Sequence, residues 1–164
     1  GHRTAPERAF KRSKNVKSTC GRTLAGWPAR WKDRTMADVV KVPSGSKLGI
    51  GFSRAIRVGD LVFVSGCAPI AKDGSVAAPG DVKAQTKRCF EIIEGALVQA
   101  GADLKHVVRT RIFLTDMSRW KEAGEAHGEV FKDIEPVTSF LGTNALINPE
   151  WLVEVEADAV IARG

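Results

Sequence analysis

The stretch "WLVEVEADAVI", residues 151–161, decides how this chain folds. From Val153 onward it alternates strictly. Val153, Val155, Ala157 and Ala159 share one face, and Glu154, Glu156 and Asp158 share the other. A period of two with one apolar side is that of a β-strand buried on a single face. Such a strand needs helices over its apolar side, so the helices are the next feature to find.

Two are legible. Asp81 is placed to cap a run in which Val82, Cys89, Ile92, Ile93, Ala96, Leu97 and Ala100 fall on one face, and Gly101 sits where that helix would end. Asp116 or Ser118 caps a second, with Trp120, Ala123, His127, Val130 and Phe131 directed inward and Glu135-Pro136 as its breaker. Gly124 and Gly128 inside it cost about 1 kcal/mol each relative to alanine, so packing holds it more than propensity does. Between the helices "HVVRTRIFLTD" reads as a strand. Val108, Thr110, Ile112 and Leu114 lie on one side of it, and Arg109, Arg111 and Phe113 on the other. Upstream, a glycine-rich loop (residues 44–52) leads into "SRAIRV" and "LVFVSG", which the Gly59-Asp60 turn joins into a hairpin over 53–66. The order strand, strand, helix, strand, helix, strand, strand predicts an α+β fold, one mixed sheet with two helices on one face.

The acid row is then a physical problem. Three carboxylates about 7 Å apart along one strand face repel one another and raise each other's pKa where water is excluded. Either the face is solvated and Arg109 and Arg111 are weak surface partners, or it packs against sister subunits. In the second case some acids are neutralised there and one looks into a cleft. The pattern alone supports both.

Composition narrows the class. The 164 residues suffice for one domain with a real core, and no apolar run reaches the eighteen or so residues of a membrane-spanning helix. The net charge of +6 is unevenly placed: residues 1–35 hold ten basic residues against two acidic ones, residues 36–164 fifteen against seventeen. The domain at 36–164 is therefore slightly acidic, which argues against nucleic acid as its partner. Residues 1–35 have no helical or strand period. They are expected to be a disordered basic arm or an extension outside the functional domain, since Gly1-His2 resembles the remnant of a cleaved tag. Two other readings are an RNA-stacking arm (Phe10, Trp27, Trp31) and an organelle transit peptide. Cys20, Cys67 and Cys89 form no CxxC pair and the three histidines are scattered, which predicts no metal site and a reduced, cytoplasmic setting.

The segments "GFSRAIRVGDLVFVSGCAPI", "GDVKAQTKRCFEIIEGALVQAGADLKHVVRTRIFLTDM" and "LVEVEADAVI" together resemble the Rid/YjgF family, in order from Gly51 to Ile161. The resemblance implies a chorismate-mutase-like fold and a homotrimer whose sheets line a central barrel, with small-molecule clefts between subunits. It also implies hydrolysis of reactive enamines or imines to a 2-keto acid and ammonia, with no metal or organic cofactor. Some relatives carry the label endoribonuclease or translation inhibitor. Carried over by position, the cleft includes Phe52, Ser53 and Gly66, and Glu154 corresponds to the glutamate that holds the attacking water. Cys67 stands where many relatives have glutamine. A nucleophilic thiol needs a base or cation beside it, and no histidine is predictably there, so Cys67 reads as the lip of a pocket sooner than as a nucleophile or a plain buried thiol. Cys89 reads as core.

One departure bears on the substrate. RidA-type members of the family carry Pro-x-Arg-Ser before the closing strand, and its arginine grips the substrate carboxylate. Here Pro136-Val137-Thr138-Ser139 puts Thr138 in the arginine position and Phe140 in that of a cysteine. A charge-assisted bond of about 1.5–3 kcal/mol falls to about 0.5–1.5 kcal/mol, and the guanidinium fork is lost. Either Arg54 substitutes, although strand alternation points it away from Ser53, or the cleft takes a neutral or apolar ligand suited to Phe52, Thr138 and Phe140. The second reading is the expectation. The function expected is binding of a small metabolite with hydrolysis through Glu154. The alternative is a non-catalytic binding or regulatory module. RNA cleavage is weaker still, for want of a histidine acid/base pair.

Overall fold

A computed structural model describes residues 39–45 and 49–161; the expectations for residues 1–35 lie outside them. Eight principal elements follow in the order β1 (Val39–Pro43), β2 (Ser53–Val58), β3 (Leu61–Cys67), α1 (Val82–Gln99), β4 (Val107–Leu114), α2 (Trp120–Phe131), β5 (Val137–Gly142) and β6 (Val153–Val160). The strands form a single sheet in the order β1-β2-β3-β6-β4-β5. β4 and β5 run parallel and every other neighbouring pair is antiparallel. β6, last in the chain, is thus central in the sheet, which explains why its apolar side is so regular.

The local chemistry agrees with this arrangement. Gly59, at φ +60°, takes the left-handed conformation that a two-residue hairpin turn requires, and Val58 pairs with Leu61 across it. Asp81 caps α1 by accepting from the Ala84 amide at 2.9 Å. The apolar side of β6 is at most 1 % exposed, and α1 packs against β6, β3 and β2 with α2 beside it. Phe90 of α1 and Phe131 of α2 meet edge to face at 5.1 Å, in the geometry that aromatic pairs prefer.

Three expectations are corrected. β1 is a sixth strand that the reading passed over, although "VVKVP" is β-branched and borders the hairpin. On β4, Val107 and not Val108 enters the core. The pairing with β6 shifts register between Val107 and Arg109, and the extra residue turns Val108 out to 44 % exposure. On α2, Trp120 is exposed and Ala126 is buried. A 3₁₀ turn, Met117–Arg119, capped by Asp116, precedes the helix and carries Trp120 to the rim, where it packs on Phe140. Among the described residues no helix is long and apolar enough to cross a membrane, and no group of His, Cys, Asp or Glu is arranged to hold a metal ion.

Candidate functional site

On the helix-free face of β6 the acid row divides. Arg111 donates to Glu156 at 2.9 Å and lies 3.4 Å from Asp158, and Arg109 lies 3.7 Å from the same Asp158. Glu154 is left out because register decides its partner: it pairs across to Phe113, not to an arginine. Among the described residues no lysine or arginine comes within 4.0 Å of it.

Glu154 instead turns into a cavity of about 440 Å³, whose lining includes Phe52, Arg54, Gly66, Arg88, Ile147 and Trp151. Half-burial raises its pKa above the usual glutamate range. The charge on Glu156 adds to that rise, and the guanidinium of Arg54 opposes it. A perturbed carboxylate in a cleft is the kind of group that moves protons at neutral pH.

Two features hold it in place. The first is the absence of a side chain at Gly66: a Cβ there would come within 2.9 Å of the Glu154 carboxyl carbon and closer still to an oxygen. β3 is irregular here, with its pairing to β6 shifting between Val64 and Cys67. The second is Gln85 of α1. Its fully buried amide accepts from the Leu152 amide at 2.8 Å and donates to the Glu150 carbonyl at 3.0 Å. It thereby fixes the chain just ahead of β6. We expect Gly66→Ala to fold, because the Glu154 end is flexible, yet to expel the carboxylate from its seat. A thermal melt within a few degrees of wild type, with the Glu154 carboxyl titrating nearer the ordinary glutamate range by NMR, is the expected pair of results.

The remaining residues singled out from the sequence divide as follows. Phe52 lines the cavity. Gly66 does too, but its carbonyl is already taken by the Arg54 Nη1 at 2.8 Å. Ser53 borders a separate shallow hollow with Phe63, Arg111 and Glu156. Cys67 is not the lip of the pocket. It is fully buried opposite Val155 on the helix side, donating its thiol to the Ser65 carbonyl. Burial pushes the thiol up to about 11 despite the nearby Arg54, so it is protonated at neutral pH and no nucleophile. Cys89 is core, with its thiol raised by burial as well.

Within the chain, Thr138 and Phe140 do not join Glu154. They pair with Thr110 and Ile112 of β4, whose side chains face the helices. The Thr138 hydroxyl lies 3.0 Å from that of Thr110 and 3.1 Å from His127 Nε2 of α2, and Phe140 packs against Trp120 and His127. An arginine at 138 in this conformation would bury its guanidinium beneath α2.

What the reading undervalued is Arg54. Alternation does point it away from Ser53, but it is Ser53 that lies outside the cavity. Arg54 reaches across to the β3 irregularity, and its guanidinium also stands 5.7 Å from the Phe52 ring. Arg88, Ile50, Ile147 and Trp151 were missed altogether. Arg88 was legible as a polar residue next to the apolar stripe of α1, while the others come from loops without a period.

Residues 47–161 match the family Endoribonuclease L-PSP. The chain is 35% identical over 108 residues to a RutC family protein of Pyrococcus abyssi, covering 66% of this chain and 84% of that one. Among solved structures, Rv2704 from Mycobacterium tuberculosis, a member of the YjgF/YER057c/UK114 family, is 47% identical with a TM-score of 0.68. The match covers 75% of this chain and 99% of that one. TM0215 from Thermotoga maritima is 32% identical with a TM-score of 0.65, over 70% and 91% of the two chains.

Proposed function

Since the chain belongs to the Endoribonuclease L-PSP family, the group also called Rid/YjgF, we propose that its cavity hydrolyses a reactive imine or enamine, with Glu154 as the general base. The observation that carries this reading is the division of the acid row: two carboxylates are neutralised by arginines, while the third is withheld from them and turned into a cavity. Glu154 accepts a proton from a water that adds to the carbon of the C=N bond. The nitrogen takes up protons and leaves as ammonia, and the carbon becomes a carbonyl. The raised pKa suits both accepting that proton and returning it to the leaving nitrogen.

The test generates imines in situ with an amino-acid oxidase and follows their disappearance. Wild type should accelerate that loss over the uncatalysed rate. Binding of the cognate 2-keto acids with no acceleration for any imine tried would favour a non-catalytic binding module instead. RNA cleavage gains no support from the histidines. His127 faces the sheet from α2 with its pKa lowered by burial, and the His106 Nδ1 is buried without a partner among the described residues.

We further propose that the helix-free face packs against sister copies in a homotrimer. Leu61, Phe63, Val137 and Val160 on that face are 39–63 % exposed, and apolar groups of this size gathered on one side of a sheet mark an interaction surface. Light scattering should give three chains for wild type and a lower mass for Phe63→Glu, which sets a carboxylate beside its cross-strand partner Asp158. A monomeric wild type would defeat this proposal.

A further inference from the structure

We propose that Arg54 is the anion anchor of the cavity and that the ligand is a carboxylate carrying a bulky apolar group. This rests on the reading of the cavity as a reaction cleft and names what enters it.

The first observation is a cation with no carboxylate in contact among the described residues. Arg88, Arg109, Arg111 and Arg119 each have a carboxylate within 4.0 Å. Arg57 donates to the Ala100 carbonyl, at the negative end of α1. Arg54, among the described residues, meets only neutral acceptors: the Gly66 carbonyl at 2.8 Å and, more weakly, the Ser65 hydroxyl at 3.4 Å, the Ser44 carbonyl at 3.5 Å and the Cys67 sulfur at 3.6 Å. These contacts aim the guanidinium without neutralising it. Glu154 acts on it only through space, so this partly buried guanidinium has no carboxylate in its fork and is a receptor for one.

The second observation is the balance of the lining. With Arg88 offset by Glu91, Arg54 and Lys72 face a single acid, Glu154, so the described wall keeps a net positive charge and attracts anions. Arg88 is already committed, through a 2.7 Å bond to the Ile70 carbonyl and its ion pair with Glu91, which leaves Arg54 as the guanidinium open to a ligand.

The third is the apolar rim. Ile50 and Ile147, 67 % and 80 % exposed, stand with Phe52, Ile70 and Trp151 around the same cavity. Its volume of about 440 Å³ lies in the range of pockets that enclose drug-sized molecules, well beyond what a four-carbon acid fills. An acid with an aromatic or long aliphatic side chain sets its carboxylate at Arg54 and lays its tail along these residues. The C=N carbon next to the carboxylate then lies between Arg54 and Glu154. This proposal differs from the expectation of a neutral or apolar ligand in giving the apolar ligand a carboxylate.

Calorimetric titration of the protein with 2-oxo-4-phenylbutanoate, its primary amide and 2-oxobutanoate tests this without turnover. The phenyl acid should bind at least tenfold more tightly than its amide and than 2-oxobutanoate. Arg54→Gln should remove the preference for acid over amide and leave the amide within about threefold of wild type. Should Arg54→Gln fail to fold, the acid-to-amide ratio in wild type and in Arg54→Lys decides. Equal binding of acid and amide, no binding of the acid, or full acid affinity in Arg54→Gln would overturn the assignment; equal binding of 2-oxobutanoate would overturn its apolar part. Acid bound through Arg54 without imine turnover would sink hydrolysis and keep the anion site, whereas turnover indifferent to Arg54→Gln would do the reverse.

Discussion

On the proposed mechanism, Glu154→Gln is expected to lower the rate of imine hydrolysis by about 10²–10⁴-fold and to leave the fold intact. Glutamine keeps the length and hydrogen-bonding capacity of glutamate but cannot take a proton from water. The seat over Gly66 accommodates either side chain, so a loss of rate reports chemistry and not collapse. The pH profile supplies an independent check. A general base works only when deprotonated, and burial holds Glu154 above the usual glutamate range. The acid limb of kcat/KM should therefore lie at a higher pH than that of an ordinary glutamate, and it should vanish in the variant. The stability consequence has a definite sign. For an acid whose folded pKa is raised, stability present below the unfolded value, about pH 4, is lost as pH rises through the folded value. Glu154→Gln should accordingly melt at a higher temperature than wild type at neutral pH and at the same temperature in acid. Retention of the full rate by Glu154→Gln would remove the proposed base.

Phe90→Ala is the substitution expected to cost most in stability. Phe90 is 2 % exposed in the middle of α1 and touches Phe131 and His127 edge to face. Removing a buried phenyl ring loses its transfer energy and leaves a cavity, together about 3–5 kcal/mol. For a domain of this size that corresponds to a fall in melting temperature on the order of 10–20 °C. A drop of under about 1 kcal/mol in urea unfolding would show that the layer between α1 and α2 is not the packed core described above.

Much of the fold was legible because β6 declares both of its faces. Four small or branched apolar residues alternate with three acids, so the strand, its buried side and the need for helices follow together. Capping and periodicity did the same for α1. The face of β5 was not legible. "VTSFL" has no clear alternation, and only its parallel pairing to β4 sends Thr138 and Phe140 under α2. Arg54 was discounted because alternation describes where a side chain starts and not where a long one ends; it spans the gap opened by the irregularity in β3. That Glu154 faces Phe113 depends on the register between two strands about forty residues apart, which neither strand states alone. Ile50, Ile147 and Trp151 meet only because Gln85 and the sheet bring separate loops to one rim.

β4 supplies a cation at two successive outward positions and then an aromatic ring at the third, so the charge ladder stops one rung short. Had the chain written a third arginine there, every acid would be quenched and the sheet would be electrostatically quieter. The proposed reactivity thus comes from an omission: a hydrocarbon where symmetry would have asked for a countercharge.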